Sequence, residues 1–214
     1  EKIKYLSRED LSDNEQNIFH YSVIITMGRF IPEKGQWHLI RAFNEVKKEI
    51  SDAKLVLLGN GELENYLRQI INDYNLNQDV YFLGFQKNPF KYISRSTLFV
   101  FPSLVEGFGN VLIESMACSI PIISSDCKAG PREILAPETD KAYSTKEIEY
   151  ANYGVLVPVC DENFYSAKEL LTKEEKDMSE AIIFMLKNEK LRQNYISRSK
   201  ERVKDFEIDK KISK

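Results

Sequence analysis

The chain alternates short, bulky apolar runs with stretches of helical hydrophobic spacing, and most of the runs end in a glycine, a proline or a polar turn. Residues 22–27, 54–58, 80–85, 98–101, 121–124 and 154–159 are dominated by Val, Ile, Leu, Phe and Tyr, the composition of strands buried on both faces. Between them, Leu39, Ile40, Phe43, Val46 and Ile50 recur at helical spacing over 36–50, and Leu63, Leu67, Ile70 and Ile71 mark a second helix. A short helix is expected at 90–94, and Asn110 is placed to cap a helix carrying Val111, Leu112, Ile113 and Met116. Pro131 opens another short helix over 130–135, and from Ser166 onward the chain reads as helical and heavily charged. Strands alternating with helices predict an α/β fold, a doubly wound parallel sheet of six strands with a Rossmann-like arrangement. Residues 1–20 read as a polar lead-in or linker, 21–205 as the domain, 136–152 as a loop insertion within it, and 206–214 as a truncated terminal segment.

Composition removes several function classes. The net charge of −3, with acids and bases mixed along the chain, lacks the basic footprint of a nucleic-acid binder. No apolar run approaches the ~20 residues that span a bilayer. The chain starts on Glu1 with a polar stretch and shows no signal peptide, as in a piece of a longer protein. Cys118, Cys127 and Cys160 are widely spaced without a C-x-x-C pair, which reads as a reduced, cytosolic protein with incidental thiols. His20 and His38 are expected in structural or surface roles. With no Asp-x-Asp pair and no cluster of ligands, neither a metal nor a cofactor is expected.

In doubly wound folds, ligands bind outside the carboxyl ends of the strands, at the point where strand order reverses. The turns there carry the chemistry: Arg29 and Lys34 after the first strand, Lys87 after the third, Glu106 and the glycines after the fourth. Gly28-Arg29 with Lys34-Gly35 puts two cations in one loop, a fork and a point charge suited to phosphate oxygens, although a solvated loop is the plainer alternative. Gly59-Asn60-Gly61 lacks the third glycine of a dinucleotide fingerprint, since Glu64 stands there, so a tight turn bordering the ligand is preferred. Glu106 and Glu114 flank Gly107-Phe108-Gly109-Asn110. Singly they read as a turn acid and a surface acid; together, around the amides of a helix start, they suit a ligand with hydroxyls and phosphates.

The setting Phe101-Pro102-Ser103-Leu104-x-Glu106-Gly107-Phe108-Gly109-Asn110-x-x-x-Glu114-x-Met116-Ala117 resembles glycosyltransferase family 4, retaining enzymes of the GT-B fold. Gly28-Arg29-Phe30 with Lys34-Gly35, Gly59-Asn60-Gly61-Glu62, Phe82-Leu83-Gly84-Phe85 and Pro121-Ile122-Ile123-Ser124-Ser125-Asp126 carry the likeness in family order over residues 22–160. The run 128–135, Lys-Ala-Gly-Pro-Arg-Glu-Ile-Leu, is similar to bacterial enzymes of polysaccharide, lipopolysaccharide or lipid-linked glycan assembly, often with UDP-hexose or UDP-N-acetylhexosamine donors.

The resemblance implies a carboxy-terminal domain that binds a nucleotide-diphosphate sugar without metal. Arg29 and Lys34 would hold the diphosphate, Glu114 the ribose and Glu106 the transferred sugar. Gly28, Phe108, Gly109 and Asn110 would approach sugar and phosphates, with Val111 packed nearby, and Phe85, Gln86 and Asn88 would border the base largely through backbone groups. The glycan or lipid-linked acceptor would be bound by an amino-terminal half outside this sequence. A cytoplasmic location follows, with the longer protein able to sit at the inner face of a membrane. The end at Phe206-Glu207-Ile208-Asp209 stops short of the family's final crossover helix. The fragment alone is therefore expected to bind nucleotide and transfer nothing. The alternatives are a non-catalytic nucleotide-binding module and a nucleotide-sugar epimerase on the same architecture.

Overall fold

The computed structural model describes residues 1–206; the expectations for 207–214 lie outside the described residues. Strands β1 (Val23–Met27), β2 (Lys54–Leu58), β3 (Val80–Gly84), β4 (Leu98–Phe101), β5 (Ile122–Ser125), β6 (Glu149–Tyr150) and β7 (Val155–Val157) form one sheet in the order β3-β2-β1-β4-β5-β7-β6. Every neighbouring pair is parallel except β6 with β7. Around it, in chain order, lie α1 (Lys2–Leu6), α2 (Asp13–Gln16), α3 (Gln36–Glu49), α4 (Glu64–Asp73), α5 (Phe90–Ile93), α6 (Asn110–Ala117), α7 (Pro131–Leu135), α8 (Lys173–Lys187) and α9 (Glu189–Arg202).

The apolar runs are strands for the reason their composition gives. Val23, Ile24, Ile25, Leu55, Val56 and Leu57 are fully buried, and successive residues serve opposite faces. Ile24, Leu55 and Leu57 join one core cluster with α3, α4 and α8; Ile25, Val56 and Phe99 join a second with α5, α6 and α7. Helices thus cover both faces, as in a doubly wound sheet.

Two expectations are corrected. The sheet has seven strands rather than six, because β6 forms inside the polar segment 136–152. Its two residues carry no apolar pattern; pairing with Val155 and Leu156 and the bond from Arg132 to Glu149 Oε2 (2.7 Å) hold it. The helical region starts at Lys173, not Ser166. Thr172 and Glu175 make a capping box, and Ser166 is engaged by the Glu169 carboxylate, so the stretch before Lys173 runs as an irregular strap.

Residues 1–20 carry α1, α2 and a helical turn at Asn17–His20. Leu11 and Ile18 are buried in the second core cluster beside Tyr92 and Ile93. Among the described residues no helix is long and apolar enough to cross a membrane.

Candidate functional site

Strand order reverses between β1 and β4, and the turns leaving these two strands meet there. Gly35 closes the first turn with φ +59°, and a Cβ on it would lie 2.4 Å from the Pro102 carbonyl oxygen. Only glycine permits both the left-handed backbone and this approach. The Leu104 amide donates to the Glu33 carbonyl (2.9 Å), tying the turns together, and the Ser125 hydroxyl donates to the Ser103 carbonyl. With both backbones fixed, the Lys34 ammonium donates to Glu106 Oε1, in a pair whose side chains are 21% and 10% exposed. The ammonium also lies 5.7 Å from the centre of the Phe101 ring.

Beside this pair, at the ends of β1, β2 and β3, is a cleft of about 190 Å³ lined by Gly28, Arg29, Gly59, Asn60, Phe85 and Gln86 among others. Phe85 is 74% exposed, an aromatic face presented to solvent. Arg29 is exposed and makes no side-chain hydrogen bond or ion pair among the described residues, while its carbonyl accepts from Gln36 Nε2 at 2.9 Å. Lys34 Cδ lies 3.6 Å from where a Gly28 Cβ would stand, so the lysine runs past Gly28 and joins the cleft to the Lys34–Glu106 pair.

The two loops of the cleft touch at Gly59, whose φ is +130° and whose Cβ would stand 2.0 Å from the Gly28 carbonyl oxygen. Gly59→Ala is expected to destabilise the protein by about 2–6 kcal/mol, from strain of ~1–3 and overpacking of ~1–3 kcal/mol. Gly107→Ala, where a Cβ meets nothing within 4 Å, serves as the reference. Thermal melts of the two variants check this; equal melting points would show that the close approach carries no energy.

The structure gathers the expected residues into three groups. Gly28, Arg29, Phe85 and Gln86 line the cleft. Lys34 and Glu106, expected on different parts of a ligand, are bonded to one another. Phe108, Gly109, Asn110, Val111 and Glu114 form the start of α6 and the turn before it. Here the cap differs from expectation: Gly109, at φ +78°, occupies the N-cap, and Asn110 is the first helical residue with no side-chain cap bond. A left-handed cap residue turns the chain sharply into the helix, a backbone conformation that glycine adopts without a Cβ penalty. Glu114 is half-buried, its carboxylate has no hydrogen-bond or ion-pair partner among the described residues, and burial pushes its pKa up.

Gln86 and Asn88 spend their side chains internally. Gln86 Nε2 donates to the Leu83 carbonyl, and its Oε1 stands 3.2 Å from the Tyr92 hydroxyl. Asn88 Nδ2 donates to the Leu6 carbonyl (2.8 Å), and its Oδ1 accepts from the Phe90 amide (3.2 Å). Asn88 thus has only its backbone to offer the cleft.

Gln36 carries no sequence expectation, and Ser103 and Ser125 appear only within longer motifs, with no role of their own. Gln36 holds the Arg29 carbonyl while its own Oε1 is buried without a partner among the described residues, as is the Ser103 hydroxyl. A glutamine opening an amphipathic helix directly after Lys34-Gly35 is the readable signal for the first. His38 is buried, with Nδ1 2.7 Å from Glu175 Oε1 and Nε2 2.9 Å from the Asp161 carbonyl, in the strap anchorage rather than the cleft.

Comparison with known proteins bears on this arrangement. Residues 8–152 match the family model described as "Glycosyl transferases group 1". The chain is 44% identical over 216 residues to an uncharacterized glycosyltransferase of Methanocaldococcus jannaschii, covering 99% of this chain and 53% of the relative. It is 36% identical over 184 residues to the N-acetylgalactosamine-N,N'-diacetylbacillosaminyl-diphospho-undecaprenol 4-alpha-N-acetylgalactosaminyltransferase of Campylobacter jejuni, covering 86% of this chain and 42% of that one. The chain thus spans about half the length of these curated relatives. Among solved structures, the C-terminal domain of a glycosyl transferase group 1 family protein from Francisella tularensis superposes with a TM-score of 0.69 at 19% identity, covering 92% of this chain and 95% of that one. Anabaena HepE in complex with UDP and glucose gives a TM-score of 0.71 at 19% identity, over 91% of this chain and 48% of that one.

Proposed function

The chain belongs to the glycosyl transferases group 1 family, and from that premise we propose that it is the carboxy-terminal, donor-binding half of a retaining family 4 glycosyltransferase of the GT-B type, using a nucleotide-diphosphate sugar without a metal. One observation carries the reading: at the switch point of the sheet, the Lys34–Glu106 pair abuts a cleft that presents the exposed side chains of Arg29 and Phe85. The base lies against Phe85 and the 85–88 backbone, and the diphosphate runs toward Arg29 and Lys34. The transferred sugar reaches Glu106. As the bond between the sugar and the diphosphate breaks, negative charge grows on the leaving oxygen. The Lys34 ammonium, already held beside it, stabilises that charge with little reorganisation, and the exposed Arg29 guanidinium folds onto the diphosphate as the donor binds.

In this state the Lys34 charge is matched by Glu106. A bound diphosphate shares the ammonium and frees carboxylate lone pairs for sugar hydroxyls, so one event readies both residues. The free amides of the α6 start face the anion, with Gly109 and Asn110 closest to it and Phe108 and Val111 flanking them. Glu114, half-buried and with a carboxylate that has no partner among the described residues, accepts the ribose hydroxyls. The leaving phosphate helps deprotonate the acceptor hydroxyl on the same face of the sugar.

The Campylobacter relative transfers N-acetylgalactosamine to a diphospho-undecaprenol compound, which supports an N-acetylhexosamine or hexose donor and a role in glycan assembly. HepE holds UDP, which supports uracil as the base. The coverage of about half of each curated relative supports a partner half that binds the acceptor.

Calorimetric titration with UDP, GDP and ADP tests the reading. UDP is expected to bind most tightly, and binding of none of the three overturns the donor assignment. Glu114→Gln is expected to weaken UDP binding by about ten-fold, the net worth of one charge-assisted hydrogen bond, ~1.5 kcal/mol. Because donated hydroxyls favour the charged carboxyl, its pKa falls on binding. The affinity gain is therefore complete above the raised free-state value and fades as pH falls through the bound-state value. An unchanged pH profile in Glu114→Gln excludes the ribose role.

A further inference from the structure

The turn before α6 is held from outside by α7, an element that does not line the cleft. Gly130 stands directly before α7, and a Cβ on it would lie 1.8 Å from the Phe108 carbonyl oxygen and 2.4 Å from its carbon. The bend that delivers it there takes Ala129 through φ +59° and Gly130 through φ +102°. A residue with a Cβ adopts such a φ only where its surroundings enforce it. Here α7 enforces it. Pro131, Ile134 and Leu135 are buried, and the buried Arg132 side chain bonds Asp126 Oδ2 (2.6 Å), Glu149 Oε2 (2.7 Å) and Thr139 Oγ1 (2.9 Å).

The far end of α7 reaches the same turn by a second route. Arg202, the last residue of α9, donates from Nη2 to the Glu133 carbonyl (2.7 Å) and from Nε to the Ile134 carbonyl (3.1 Å). Its Nη1 bonds Asp205 Oδ2 (2.7 Å), in the helical turn Val203–Phe206. The guanidinium lies 4.6 Å from the centre of the Phe206 ring, and that ring meets Phe108 edge-on with centroids 6.3 Å apart. One short helix thus fixes the Phe108 turn at two points. The two sides of the contact are unequal, because α7 is buried and cross-bonded whereas Val105, Gly107 and Phe108 are exposed. A conflict between them moves the turn and leaves α7 in place.

We propose that α7 is the template for the donor-facing turn, with Gly130 and Arg202 as positioning residues that set Glu106 and the start of α6. The proposal rests on the reading of that turn as the sugar and phosphate end of the donor site. It goes beyond that reading in giving residues 129–135 and 202–206 a part in transfer, exerted through Phe108.

Gly130→Ala is the sharpest test. The added methyl forces the contact open by ~1–2 Å to reach ordinary van der Waals separation. In a transferase that carries this chain with its acceptor-binding half, kcat is expected to fall by about 10²-fold, the usual cost of a ~1 Å misplacement. The dissociation constant for UDP should stay within about fivefold, since Phe85, Arg29 and Lys34 are left in place. Chymotrypsin cleavage after Phe108, mapped by mass and referred to cleavage after Phe85, is expected to rise about tenfold as the turn loses its backing. Glu175→Gln, in the strap anchorage, is the reference for lost stability, and rates are read where both variants are folded by circular dichroism. It is expected to leave kcat and the cleavage ratio within about twofold of the parent. Should Gly130→Ala fail to fold, Arg202→Met reads the second route: kcat falls and the cleavage ratio rises by about fivefold each, the worth of one aromatic edge contact. Arg198→Met, on the same helix but bonded to the Asn152 carbonyl (3.3 Å), is expected to change neither. Unchanged kcat and cleavage in a folded Gly130→Ala variant, or in Arg202→Met, overturn the proposal, as does an equal loss of kcat in Glu175→Gln. A parent chain that binds no UDP sinks the donor reading and takes the proposal with it, a failure told apart from the others because cleavage after Phe108 still responds to Gly130→Ala.

Discussion

Lys34→Ala is expected to lower kcat/KM for sugar transfer by about 10²–10³-fold, ~2.7–4 kcal/mol of transition-state stabilisation, in a transferase that carries this chain together with its acceptor-binding half. The lysine is the cation nearest the meeting of the two switch-point turns, and its side chain runs past Gly28 to reach Glu106. Nothing else among the described residues offers a second ammonium at that place: Arg29 approaches from the cleft side and is free to swing in solvent. Truncation also strands the Glu106 carboxylate, which is 10% exposed, so part of any loss would come from an unpaired acid next to an incoming diphosphate. The double variant Lys34→Ala with Glu106→Gln separates these contributions. If the stranded charge dominates, the second change restores much of the UDP affinity. If charge stabilisation at the leaving group dominates, UDP binding recovers and turnover does not. Initial-rate kinetics beside thermal melts supply the measurement; a Lys34→Ala enzyme within a few-fold of the parent would remove Lys34 from the chemistry. Glu106→Gln alone is expected to harm kcat more than UDP affinity, because the proposed function sets it against the sugar and not the nucleotide.

Much of this site is readable from the chain because its parts are local. The turn at 28–35 announces its cations and glycines within eight residues, and the strand–glycine–helix run through 98–117 announces the second wall. What joins them is not local. The Lys34–Glu106 pair spans 72 positions, and it exists because Gly35 packs on the Pro102 carbonyl, a contact that no spacing rule encodes. The same holds for the bond of Gln36 to the Arg29 carbonyl, where a polar side chain is buried at the start of a helix. For the fold, the buried strands were legible because period-free apolar runs admit few other fates. β6 was not, since two polar residues at a sheet edge are recruited by their neighbours instead of by their own pattern. The start of α8 was missed because charge density resembles a helix surface, whereas the box formed by Thr172 and Glu175 decides where the helix begins.

Glu175→Gln is expected to destabilise the folded chain by about 3–5 kcal/mol, the usual consequence of breaking a buried ion pair from one side. For a protein of this length that corresponds to a melting point lower by on the order of 10 °C. Glu175, Arg41 and His38 have fully buried side chains. One carboxylate receives His38 Nδ1 (2.7 Å), Arg41 Nε (2.8 Å), Arg41 Nη2 (3.1 Å) and the Thr172 amide (2.9 Å). Arg41 also donates to the Ser166 and Leu170 carbonyls, so the cluster fastens the strap and the start of α8 to α3. Glutamine keeps the shape but leaves the Arg41 guanidinium buried without its counter-charge. Burial alone would push the Glu175 carboxyl up, but the bonds from His38, Arg41 and Thr172 outweigh it and hold the pKa below the ordinary glutamate value. An acid with a depressed folded-state pKa contributes stability that is present above its unfolded value and is lost as pH falls through the folded one. The gap in melting point between parent and Glu175→Gln should therefore be full near neutral pH and shrink in acid, once the parent's carboxyl is protonated as well. Melting curves at both ends of that window decide the matter: a gap of constant size across pH would mean that Glu175 acts through packing, and a gap that closes in acid would mean that its charge anchors the strap.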